Sequence, residues 1–85
     1  MAKQYAVVFT YSFDEDAAVY LFDTFEEATG FLEGAYNEEL RIERDENGWD
    51  PDGFITELKT YARISTPGTG GVDDVCEYHL ANVYA

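Results

Sequence analysis

Eighty-five residues allow one domain and one small core, and 18 acidic against five basic side chains give a net charge of −13. That surface repels nucleic acid and anionic membrane, which argues against direct binding to either, and it favours cations or basic partners. Seven Tyr, six Phe and one Trp supply the apolar area that a core needs, so a disordered chain is not expected despite the charge.

Residues 4–13 (QYAVVFTYSF) read as a strand. Tyr5, Val7, Phe9, Tyr11 and Phe13 alternate onto one face, with Gln4, Ala6, Val8, Thr10 and Ser12 on the other. Asp14-Glu15-Asp16 breaks the run, and residues 17–22 (AAVYLF) form a second strand, also apolar on both faces. The short connection predicts an antiparallel hairpin.

Thr24-Phe25-Glu26-Glu27 matches a capping box, Thr24 at N-cap and Glu27 reaching back from N3. Phe25, Ala28, Phe31, Leu32, Ala35, Tyr36 and Leu40 then recur at helical spacing, which predicts a helix from Phe25 to about Arg44. Gly30 and Gly34 each weaken it by roughly 1 kcal/mol relative to Ala, and their shared side is expected to let the helix lie close to a sheet.

Residues 45–53 (DENGWDPDG) are rich in breakers and read as a loop. From Phe54 to Ala62 helical and strand patterns compete. The β-branched residues and the Pro67-Gly68-Thr69-Gly70-Gly71 turn favour a strand from about Leu58 to Thr66. Residues 75–84 (VCEYHLANVY) form the last strand.

The resulting fold class is α+β, in the order ββαββ: a four-stranded, mainly antiparallel sheet with one helix packed on one face. One helix covers only one face, yet the first hairpin is apolar on both. The uncovered face is therefore expected to be a contact surface for a second copy or a partner protein. Tyr5, Phe9, Tyr11, Tyr20 and Tyr78 are its candidate anchors, because aromatic side chains dominate such interfaces.

Chemistry is scarce. Cys76 and His79 form C-x-x-H, but on a strand this odd separation sends them to opposite faces, where they share neither a metal nor a proton. The buried thiol and satisfied histidine are the expected roles. Asp45-Glu46-Asn47-Gly48 and Asp50-Pro51-Asp52-Gly53 resemble fragments of a calcium loop, yet neither register supplies the closing Glu. Turn chemistry explains them. The GTGG run precedes no helix with a Lys, so it is no phosphate loop. No catalytic residue, metal ligand or cofactor is assigned, and no enzyme is expected.

One sharper idea concerns the helix. Glu26, Glu27, Glu33, Glu38, Glu39 and Glu43, with Asp45 and Glu46 beyond, form an acidic ridge comparable to the charge density of duplex DNA. Such a ridge would fit the basic groove of a DNA-binding or defence protein. A solvated helix face rich in a good helix former is the plainer explanation.

The strings YAVVFTYSFDEDAAVYLFDT, EELRIERDENG, TYARIST and EYHLANVY together resemble a group of small acidic proteins encoded on mobile or conjugative elements of gut bacteria. The resemblance spans most of the chain. It implies a bacterial, accessory role and brings no catalytic residues with it. Cys76, the sole cysteine, permits no intramolecular disulfide, which fits a reducing interior. No charged leader opens the sequence, and no apolar run approaches ~18 residues, so a cytoplasmic location without membrane contact is expected.

Overall fold

A computed structural model describes residues 4–12, 14–67 and 73–83. Phe13, the Gly68-Thr69-Gly70-Gly71 part of the predicted turn, and Tyr84 lie outside the described residues. Strands β1 (Tyr5–Tyr11) and β2 (Asp14–Phe22) form the expected antiparallel hairpin, Tyr5 opposite Phe22 and Phe9 opposite Ala18. β2 begins at Asp14, however, so the expected break at Asp14-Glu15-Asp16 is part of the strand. The register then shifts, since Tyr11 stands opposite Asp14 and three residues of β2 face Thr10 alone. Such an irregularity bends the strand locally.

Helix α1 (Phe25–Arg41) begins where the capping residue predicts. The Thr24 Oγ1 accepts from the Glu27 backbone N–H at 3.2 Å. The return half differs: the Thr24 hydroxyl donates to Glu27 Oε1 at 3.0 Å, in place of the backbone bond of a full capping box. The helix also ends earlier than Arg44. Its last turn widens into a π-helical turn, Ile42–Glu46, closed by a bond from the Asn47 N–H to the Ile42 carbonyl at 3.0 Å. Gly48, at φ +70°, then turns the chain out of the helix in the left-handed conformation that glycine adopts freely.

Three strands follow, not two. Strand β3 (Asp52–Ile55), β4 (Tyr61–Thr66) and β5 (Asp74–Asn82) complete a five-stranded sheet in the order β2-β1-β5-β4-β3, antiparallel throughout. The predicted ββαββ order with four strands is thus corrected to ββαβββ with five. Pro51-Asp52-Gly53 reads as a breaker, but a short edge strand tolerates such residues. The turn between β3 and β4 also moves the start of β4 from Leu58 to Tyr61. Thr56 holds that turn, its Oγ1 accepting from the backbone N–H groups of Thr60 at 3.1 Å and Tyr61 at 3.2 Å.

Strand β5 therefore lies in the middle of the sheet, with β1 on one side and β4 on the other. α1 lies across one face. Ala28, Leu32 and Tyr36 pack on Val7, Phe9, Ala62, Ile64, Cys76 and Tyr78 to form the core. Gly30 and Gly34 do not mediate this approach, since a Cβ on either would meet nothing within 4 Å. Gly53 on β3 does: its missing Cβ makes room for Tyr36 and Leu40.

Candidate functional site

Cross-strand register assigns each side chain to a face. Tyr5, Val7, Phe9 and Tyr11 of β1 share a face with Ala18, Tyr20 and Phe22 of β2, and with Cys76, Tyr78 and Leu80 of β5. This is the face that α1 covers. Phe31 of the helix stacks on Phe9 with ring centroids 5.7 Å apart, and meets Tyr20 at 4.9 Å and Phe22 at 5.0 Å. Phe9 in turn meets Tyr78 at 4.5 Å. The expected anchors Tyr5, Phe9, Tyr11, Tyr20 and Tyr78 therefore lie beneath the helix and are corrected to core and core margin. Only Tyr20 keeps substantial exposure, at 42%. The reason is area: a face of large rings gains more from being covered than one of Ala, Val and Thr.

The open face has a different make-up. Its paired rows read Leu21, Ala6 and Ala81; then Val19, Val8, His79 and Tyr61; then Thr10, Glu77, Arg63 and Phe54. Val19 is 57% exposed, Leu21 51% and Phe54 57%. The apolar part lies over β2 and β1, and a polar cluster lies over β5 and β4. There the Tyr61 hydroxyl donates to Glu77 Oε2 at 2.7 Å, and His79 Nε2 stands 3.7 Å from the same oxygen. The Tyr61 and His79 rings pack at 4.9 Å. The carboxylate accepting its proton, and then partial burial, raise the Tyr61 phenol above its ordinary range. Sequence alternation already separated Val8 from the aromatic set of β1, but made no such division between Val19, Leu21 and the rings of β2. What it lacked was the rule that the ring-rich face takes the helix.

Cys76 is buried on the covered face while His79 is exposed on the open one, so the C-x-x-H spacing brings the two no closer together. Among the described residues no group of three or more His, Cys, Asp and Glu is placed to hold a metal ion. Among them, too, no helix is long and apolar enough to cross a membrane. Of the two calcium-loop fragments, Asp45 and Glu46 lie in the π turn and Asp52 and Gly53 in β3, while Asn47, Gly48, Asp50 and Pro51 belong to the connection between them.

The acidic ridge is divided. Glu26 and Glu27 are exposed at the start of α1, Glu33 pairs with Lys59 at 3.2 Å, and Glu38 pairs with Arg41 at 2.6 Å. The Arg41 guanidinium holds the Glu38 carboxyl below the usual carboxylate range. Glu39 and Glu43 turn the other way. They prolong the buried stripe of Ala28, Leu32 and Tyr36, and Glu43 is buried. Comparison with family models, with curated proteins and with solved structures finds no match for this chain.

Proposed function

We propose that the chain is a non-enzymatic interaction module that binds a second copy of itself through the open face of the sheet. The observation that carries this is the apolar group of Val19, Leu21 and Val8 on the open face, where Val19 and Leu21 stand more than half exposed and no helix among the described residues covers them. Burying such a patch gains about 25 cal/mol per Å² of apolar area before the costs of association. Charge opposes a like partner least on this side. A chain of net charge −13 repels its copies, but the paired rows of the open face that carry the patch hold only Glu77 and Arg63 as opposite charges. The exposed carboxylates of α1 lie across the sheet from it.

Face-to-face packing is preferred to edge pairing. The outer edge of β2 opens with Asp14, Glu15 and Asp16, and charges on an edge strand discourage extension of the sheet.

Sedimentation equilibrium of the wild type and of the double variant Val19→Asp, Leu21→Glu tests this. A dimer that the variant reduces to monomer supports it; a wild type that stays monomeric at high micromolar concentration overturns it. A nucleic-acid mimic working through the helix would show itself otherwise, in association with a basic DNA-binding protein that weakens steeply with salt.

A further inference from the structure

The end of α1 carries a feature that the interaction surface does not use. Glu39 and Glu43 lie one turn apart on the buried side of the helix, near enough for each carboxyl to act on the other. Glu43 is only 8% exposed, and its Oε2 is buried without a hydrogen-bond partner. The groups facing this pair come from several elements. β5 contributes the Cys76 thiol, the Tyr78 phenol and Asp74. Tyr11 of β1 adjoins Tyr78, and Glu38 lies on the same helix. β4 and β3 offer the covered face only Ala62, Ile64, Thr66, Gly53 and Ile55, and β2 places Tyr20 against Phe31, nearer the helix start. None of these groups is a cation. Arg41, the basic residue of the last turn, is engaged outside by Glu38.

A buried carboxylate with no cation beside it carries a heavy desolvation cost, and a second carboxylate next to it adds repulsion. Sharing one proton removes most of both costs. The protonated carboxyl donates to its neighbour, and the pair carries one charge in place of two.

We propose that Glu39 and Glu43 form a proton-binding latch that holds the π turn Ile42–Glu46 and the adjoining residues down on the sheet, and that losing the proton releases them. The π turn is suited to this. Its wide i→i+5 ring is rare, and such turns occur frequently at functional sites. The turn also anchors the chain beyond it, because the Trp49 N–H donates to the Glu43 carbonyl at 2.8 Å. Residues 47–51 lead directly into β3, so the latch governs the connection that feeds an edge of the sheet. Burial, and then the Glu43 carboxyl, hold the Glu39 carboxyl above the usual carboxylate range. The latched state binds more protons than the released state, so rising pH opens it.

Trp49 is the only tryptophan and sits at the latch, which makes it a built-in reporter. Its fluorescence is to be followed in the full chain from about pH 5 to 9, a span that covers the raised values reached by buried Glu. The wild type is expected to show a transition within that span, without loss of the far-ultraviolet circular dichroism of the fold. Glu43→Gln, which cannot ionise and keeps a donor for Glu39, is expected to lack it. Its Asn47 and Trp49 amides should exchange at least about tenfold more slowly at the alkaline end, the change that one unit of raised pKa corresponds to. Glu33→Gln, on the outer side, should leave the transition in place. A flat wild-type profile, or a transition that persists unchanged in Glu43→Gln, overturns the latch. Should Glu43→Gln not fold, Glu39→Gln must abolish the same transition, and a folded Glu39→Gln that retains it is equally fatal.

Discussion

The hydroxyl oxygen of Tyr36 lies 2.6 Å from the point that a Cβ on Gly53 would occupy, and Leu40 Cδ2 lies 2.9 Å from it. The helix thus rests on the bare backbone of β3. A glycine that sits in a run of turn formers is here a contact residue of an edge strand. Gly53→Val should cost about 1–3 kcal/mol, the usual range for overpacking. Gly53→Ala should cost less, because the atoms it meets are the ends of two side chains that can swing aside. Urea unfolding midpoints would show this, and a Gly53→Val protein as stable as the wild type would contradict the close approach.

The two faces of the sheet predict opposite sensitivities. Leu32 is fully buried at the centre of the helix-covered core, so Leu32→Ala should lose about 2–5 kcal/mol. Val19 is exposed on the open face, and Val19→Ala should stay within about 0.5 kcal/mol at concentrations where the chain is monomeric. Thermal unfolding of both variants at low micromolar concentration checks the pair.

Salt separates the proposed self-association from an electrostatic partner. Each copy carries −13, so approach of two copies is opposed at low ionic strength and screened at high. Light scattering across a salt series should show dimerisation holding or strengthening as salt rises, since the contact itself is apolar. Dissociation at moderate salt would point to the acidic helix as the binding surface.

Cys76 should be inert in the folded protein. Burial first, and then the charges of Glu39, Glu43 and Asp74, push its thiol up to about 12, so little thiolate forms near neutrality. Reaction with a disulfide reagent at pH 8 should proceed only as fast as the chain unfolds. The same shift has a stability sign. The folded thiol keeps its proton where the unfolded one has lost it, so stability present below the ordinary thiol value drains away as pH rises from there through about 12. For one proton the slope is about 1.4 kcal/mol per pH unit. Cys76→Ala should flatten that alkaline decline, although Tyr78, also raised by burial, continues it above the ordinary phenol range.

The first hairpin, the helix start at Thr24 and the last strand are plain in the sequence, because each rests on local signals, alternation or a cap. The start of β4, by contrast, is contested by a helical pattern through Ala62. β3 is hidden because four residues with an Asp-Gly opening gain their strand character only from pairing with β4. Which face α1 covers is a tertiary choice that alternation cannot make when both faces of a strand are apolar. Even so, the concentration of rings on the Tyr5, Phe9 and Tyr11 side held the answer. The carboxyl pair was legible too: extending the stripe of Ala28, Leu32 and Tyr36 through the end of the helix lands on Glu39 and Glu43. Counting all six glutamates as one ridge concealed it.

The central position of β5 shapes how the molecule must assemble. Two hairpins can each close locally, β1 with β2 and β3 with β4, but they share no hydrogen-bonded neighbour until β5 arrives between them. Its pairing with β1 joins Phe9 to Tyr78 and Tyr5 to Asn82, nearly the full reach of the chain. The entropy of closing so long a loop is spent before the core gains from it, which slows the rate-limiting step. A nascent chain halted before Asp74 would hold two unjoined hairpins and a helix without the central strand of its sheet, an open intermediate that β5 converts into the native protein.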